Sequence, residues 1–506
     1  MDHFDVIVVG AGLSGIGAAR QLQDRCPGKT FTILEGRAAI GGTWDLFKYP
    51  GIRSDSDMYT MGYDSKPWLE PKAIADGPSI LSYVQEAARE RGIDQHIRFG
   101  HRMKAAAWSS EDARWSVDCE RANGEQLRLS CNLLFVCSGY YNYAHGYLPE
   151  FAGSGDFTGQ IVHPQFWPQD LDYRGKRVVI IGSGATAMTL VPAIAQSAAK
   201  VTMLQRSPTY VVSLPAKDPI ATVLRAILPE QLAYKLIRAK NVWFQRYIYQ
   251  QTRKQPDKMR ARLINMVRKQ LGADFDIDKH FTPSYMPWDQ RLCLVPDADL
   301  FKALRSGQAD VVTAEIECFT ATGIKLKSGQ ALAADIIVTA TGLELEVLAG
   351  ANYSVDGKAV VFPETYSYKG MMFSDVPNLV YTIGYINASW TLRSELVAEY
   401  VCRLVNRMDE LGAARCTPRL RAIDHDMAER PMIADFSPGY MRRGMHLFPR
   451  QGDRDPWRNT QNYTLDKLAI RDAPIEDGVL EFVPAGHGEV ALRVEHGADA
   501  AARSAA

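Results

Sequence analysis

The chain has 506 residues, 46% hydrophobic and 23% charged, ordinary globular proportions that exclude a disordered, collagen-like or coiled-coil chain and call for at least two cores. Fifty-eight lysines and arginines balance fifty-eight aspartates and glutamates, so no whole-chain field draws in nucleic acid, and none is expected as a partner. No apolar run reaches the ~18 residues of a membrane span, and the opening MDHFDVIVVG lacks the basic start of a signal peptide. The expected address is cytoplasmic. The eight cysteines form no CxxC pair, which argues against a zinc site or a redox dithiol, and no metal is expected.

Residues 4–9, FDVIVV, are a β-branched run suited to a strand buried on both faces. They lead into Gly10-Ala11-Gly12-Leu13-Ser14-Gly15 and then a helical pattern through Arg25. In that setting Gly10 allows a tight turn, Gly12 and Ser14 stand where a pyrophosphate meets the helix N-terminus, and Gly15 lets helix and strand pack closely. Residues 31–34 form a second strand ending in Glu35, placed to accept hydrogen bonds from a ribose diol. Further on, residues 133–136 read as a returning strand that ends in Cys137-Ser138-Gly139.

The unit repeats. Residues 176–181 feed Gly182-Ser183-Gly184-Ala185-Thr186-Ala187, a helix and a strand at 201–205. No acid closes this second strand; Arg206 and Ser207 follow it. A guanidinium suits a ribose 2′-phosphate, so this site is expected to prefer NADPH, the bland alternative being a solvated loop arginine. Two such units, one with acid and one with arginine, fit FAD held in the first and NADPH visiting the second. A further strand at 335–338 runs into Thr339-Ala340-Thr341-Gly342.

Residues 217–272 hold thirteen lysines and arginines against three acids, a net +10 that leaves −10 for the rest of the chain. Leu224, Ile227 and Leu228, then Leu232, Leu236 and Ile237, recur at helical spacing. A helical insertion over 217–275 with a packed apolar face and a wet basic face is expected. Its charge has three readings: a solvated face that guides a polyanionic cofactor, a peripheral contact with an anionic membrane, or nucleic acid, the last without any binding motif.

Between the two units, Phe157, Gly159, His163 and Trp167-Pro168 fit FxGxxxHxxxW followed by proline, which resembles the fingerprint of the type I Baeyer-Villiger monooxygenases. Gly41-Gly42-Thr43-Trp44 through Tyr49-Pro50-Gly51 to Asp55 is similar to that family's second motif. The resemblance implies an α/β fold of two Rossmann-like dinucleotide-binding domains, one for FAD and one for NADPH. The FAD domain would occupy 1–145 and 341–485, a fingerprint linker 146–175, the NADPH domain 176–340, and a disordered tail 486–506. NADPH would reduce the flavin, and a C4a-peroxide formed with O₂ would convert ketones to esters or oxygenate sulfur in sulfides and thioamides. The alternatives are a flavin monooxygenase restricted to nitrogen and sulfur, and a non-catalytic NADP(H) sensor.

By the same resemblance Arg291 is the catalytic arginine, and Asp55 its partner through a charge-assisted hydrogen bond. Thr43, Trp44 and Asp55 join the cofactor-binding residues. His163 and Trp167 couple the domains instead of moving protons. Many family members carry a lysine before the arginine; here Gln290 leaves the 2′-phosphate to Arg206 and Ser207. Loop 275–290 and residues 385–393 are expected to line a pocket for a small apolar ketone or sulfur substrate.

Overall fold

The computed structural model describes residues 1–434 and 436–484; the tail expected at 486–506 lies outside the described residues. β1 (His3–Val9) alternates into two cores: Val6 and Val8 join a cluster with α1 (Leu13–Arg25), while Ile7 and Val9 enter another on the opposite face. That explains the unbroken β-branched run. β2 (Phe31–Glu35) and β3 (Gln126–Val136) flank β1 in parallel, so the strand order reverses at the end of β1. Gly10 turns the chain there at φ +104°, and a Cβ on Gly15 would lie 1.8 Å from the Gly10 carbonyl oxygen. Both positions therefore require glycine.

The second sheet is wholly parallel. It contains β4 (Gln160–Val162), β5 (Arg177–Ile181), β6 (Lys200–Gln205), β7 (Ala309–Thr313) and β8 (Ile336–Thr339), in the order β7-β6-β5-β8-β4. The order reverses at β5, where Gly182 (φ +134°) turns into α2 (Ala185–Ile194). Part of the fingerprint segment, β4, is thus the edge of this sheet. Two antiparallel strands, Tyr141–Gly146 and Leu343–Leu345, run side by side between the domains. The chain then returns to the first sheet through β9 (Leu379–Tyr381), which pairs with β3, and α6 (Trp390–Leu411), which packs on α1.

The insertion is helical: α3 (Pro219–Ile227), α4 (Glu230–Lys254) and α5 (Pro256–Leu271). Its faces differ from those expected. Ala233, Tyr234, Ile237 and Arg238 are buried, whereas Ile227, Leu232 and Leu236 are exposed. The reason is Arg238, which reaches into the first domain. Its Nη1 donates to the carbonyls of Tyr59 (2.9 Å) and Gly62 (2.7 Å), and its Nη2 to Glu395 Oε2 at 2.6 Å. A buried charge needs such partners, and meeting them rotates α4 so that part of the apolar spacing points outward. No described helix is long and apolar enough to cross a membrane.

Candidate active site

A cavity of about 440 Å³ follows the C-terminal ends of β1, β2 and β3, with Glu35 and Arg291 both in its wall. At its centre Gly12 caps α1 without any side-chain oxygen, so the orphan N–H groups of the first turn are left for an anion. Gly42 faces it: a Cβ there would lie 3.1 Å from the Gly12 Cα. Glu35 is held at the end of β2, its Oε2 accepting from the Ala11 N–H and its Oε1 from the Arg37 N–H, both at 2.8 Å. Burial raises its pKa and those two N–H groups oppose the shift. A Gly-rich turn, an uncapped helix and an acid at the next strand fit an adenine dinucleotide.

Besides Trp390, which falls within the expected run 385–393, the wall contains residues that the sequence reading left out. Arg37 pairs with Asp45 at 2.6 Å and lies 5.8 Å over the ring of Tyr143. Tyr143 in turn stands 3.4 Å from Thr43 Oγ1. The Trp390 indole donates to Ser14 Oγ at 2.7 Å and stacks on Tyr140 at 5.3 Å. Ser14 and Trp44 line the cavity as expected of cofactor residues. Two residues of the stretch 385–393 do not: Tyr385 and Arg393 both turn inward to Asp466 and are buried, a structural knot instead of a substrate wall. Only Trp390 lies just within the expected run and reaches the cavity.

Arg291 also stands in the cavity wall. Burial works against its charge, and the oxygens of Tyr440, Tyr140 and Tyr141 and the Asp55 carboxylate outweigh that effect, raising its pKa. Asp55 is exposed to solvent. Its surroundings still penalise the carboxylate and raise its pKa, while Arg291 and Arg53 pull it back down. The two charges act on one another, but the expected hydrogen bond is not formed, since none of the described ion pairs within 4.0 Å joins them. Arg53 is instead drawn to Asp299 of the second domain.

The second cradle is open. Gly184 caps α2 with no side-chain oxygen, and a Cβ on it would meet nothing within 4 Å. Ser183 donates to the Ser207 carbonyl at 2.9 Å, which fixes the loop bearing Arg206. Arg206 and Ser207 are both exposed. Gln205, where an acid would select NADH, is buried and donates to His280 O (2.8 Å) and Thr313 Oγ1 (2.9 Å). The cradles meet where α2 touches the first domain's motif loop. Tyr49 makes a polar contact with Thr186, and a Cβ on Gly51 would lie 2.8 Å from that of Ala193. Ala185 and Ala187 occupy the first turn of α2, Ala187 fully buried.

His163 Nδ1 accepts from the Gln165 N–H (3.2 Å) and its Nε2 lies 3.3 Å from Gly342 O, an arrangement suited to a neutral ring protonated on Nε2. Burial lowers its pKa, against the carbonyls of Gly342 and Tyr147. The ring is wedged against Gly146, where a Cβ would lie 2.1 Å from its Cε1. It therefore touches one interdomain strand at Gly146 and the residue just before the other, Gly342. Trp167 packs edge-on to Tyr173 against the second core.

The chain belongs to the flavin-binding monooxygenase-like family, whose model matches residues 4–267. It is 54% identical over 482 residues to the FAD-containing monooxygenase EthA of Mycobacterium tuberculosis, covering 95% of this chain and 98% of that one. The putative FAD-containing monooxygenase MymA of the same species is 49% identical, with 97% and 99% covered. Among solved structures, an oxidized steroid monooxygenase bound to NADP superposes with a TM-score of 0.76 at 23% identity, covering 95% of this chain and 100% of that one. OTEMO in complex with FAD and NADP does so at 0.74 and 20%, covering 95% and 99%. The protein is a flavin monooxygenase with two dinucleotide-binding domains.

Proposed function

We propose that this monooxygenase binds FAD along the first cavity and NADPH at the second cradle, and uses O₂ to convert small apolar ketones to esters and to oxygenate sulfides and thioamides. One observation carries the reading: Arg291 stands in the wall of the same cavity that begins at the Gly10–Gly15 cradle, with Asp55 acting on its charge. FAD bound there supplies the electron transfer and oxygen activation. The residues supply the rest. Arg291 keeps its positive charge at any working pH, so it stabilises negative charge that develops at the reacting end. Asp55 holds that guanidinium in the field of a carboxylate. Arg206 and Ser207 take the 2′-phosphate, and His163 with Trp167 transmits domain movement between cradle and cavity. The names of the relatives, FAD-containing monooxygenases, support the cofactor.

The test is phenylacetone supplied with NADPH and O₂. Benzyl acetate formed in step with NADPH consumed is the expected result. Sulfoxide from a thioether but no ester from any ketone would restrict the enzyme to heteroatoms. NADPH consumption that responds to neither substrate would overturn catalysis altogether.

A further inference from the structure

The described surface concentrates its apolar exposure in one place. Of nineteen exposed large hydrophobic residues, eight fall on α3 and α4: Ile220, Val223, Ile227, Leu232, Leu236, Trp243, Phe244 and Tyr247. On α4 they are ordered. At 3.6 residues per turn, Leu232, Leu236, Trp243 and Tyr247 fall within roughly 60° of one another, and the last two rings stack at 5.4 Å. Trp243 is 62% exposed and Ile227 70%. A stripe of this kind on a globular protein marks an interaction site.

A second row runs beside it. Lys235 and Arg246 are exposed, as is Arg253, whose guanidinium pairs with Asp289; the three lie within roughly 20° of one another on the helix, next to the apolar stripe and away from the face that Ala233, Tyr234 and Ile237 bury. The helix thus has three faces: a core face, an outward apolar stripe and a basic flank. We infer that α3 and α4 form a docking face for an anionic membrane surface, with the stripe entering the headgroup boundary and the basic row meeting lipid phosphate. Charge decides between this occupant and a second copy of the chain. A twofold contact through α3 and α4 would set like-charged basic flanks against each other, whereas an anionic bilayer is complementary. The contact is peripheral, since no described helix can span.

Docking would also place the reacting end close to the lipid. Tyr249 on the same helix lies 5.5 Å from the Trp288 ring, and Arg253 pairs with Asp289 at 2.9 Å, both just before Arg291. If the proposed apolar substrates are correct, the loop of Arg291 stands one helix away from the phase in which they concentrate; docking itself does not depend on the reaction.

The experiment uses the FAD-loaded full chain sedimented with phosphatidylglycerol–phosphatidylcholine vesicles and with phosphatidylcholine alone, at low and at physiological salt. Binding to the anionic vesicles is expected, with a rise in Trp243 fluorescence. Leu236→Ser with Trp243→Ser should weaken it about tenfold or more, and Lys235→Glu with Arg246→Glu should remove its salt dependence. Phenylacetone turnover in vesicle-free buffer should stay at the level of the unaltered chain in both variants. Absence of vesicle binding at either salt overturns the inference, as does a solution dimer that buries Trp243, or vesicle binding unaffected by both double substitutions.

Discussion

Arg53 Nη1 lies 2.5 Å from Asp299 Oδ2, an ion pair that ties the first-domain loop carrying Asp55 to the opening turn of a second-domain helix, Asp299–Arg305. The side chains are 11% and 30% exposed, so the pair is shielded from solvent beyond the usual surface case. It reports whether the domains are seated on one another. A double-mutant cycle of Arg53→Ala and Asp299→Ala on chemical unfolding should give a coupling of about 0.5–3 kcal/mol. Strictly additive losses would show that the pair contributes nothing to the seating.

The same arginine bears on the acid limit expected of the proposed reaction. Its surroundings disfavour the charged form of Asp55 and raise its pKa, while Arg291 and Arg53 lower it, so the carboxylate loses its charge at a pH above the usual ~3.9. The acid limb of kcat/KM should lie correspondingly high and move higher in Arg53→Gln, where one opposing cation is gone. A limb unmoved by that change would separate Asp55 from the rate.

Removing the guanidinium itself should cost far more. Arg291→Ala is expected to lower ester formation by ~10²–10³-fold, with the flavin absorbance of the purified protein unchanged. An apoprotein would mean that Arg291 holds the cofactor instead of serving the reaction.

Arg206 is exposed beside an uncapped helix, with Gln205 turned inward. Loss of a charge-assisted bond to phosphate is worth about 1.5–3 kcal/mol, so Arg206→Ala should raise the KM for NADPH by roughly 10- to 100-fold and leave that for NADH alone. Equal effects on both cofactors would assign the arginine to the fold.

His163 is held neutral. Its folded pKa lies below the ordinary imidazole value, so its stabilising contribution is complete above pH ~6.5 and is lost as pH falls through the folded value. His163→Ala should slow turnover with FAD retained and flatten that acid-side loss. Gly146→Ala should reproduce the slow turnover, because the added Cβ would strike the imidazole. Release of FAD from either variant would count against domain coupling.

The two cradles were legible in the sequence because their backbone leaves no choice: Gly10 and Gly182 turn at φ +104° and +134°, each with a carbonyl within 3 Å of where a Cβ would be. Glu35 and Arg206 were legible because strand ends fix their places. What escaped were contacts between distant segments. The bond from Trp390 to Ser14 joins residues 376 positions apart, and no local pattern marks Tyr385 or Arg393 as bound to Asp466. Helical spacing on α4 showed that apolar residues recur but not which would face the core; Arg238, seeking the carbonyls of Tyr59 and Gly62, decides that.

The Ser14–Trp390 bond also has a temporal consequence. The glycine turn leaves the ribosome before the second domain, yet β9 and α6, which complete its sheet and cover α1, follow that whole domain. At ~5–20 residues per second, the first cradle waits tens of seconds with its apolar helix face uncovered, while the second sheet, contiguous between β4 and β8, can close before it. The domain entered first is thus completed after the second, and acquisition of its cofactor follows the synthesis of α6.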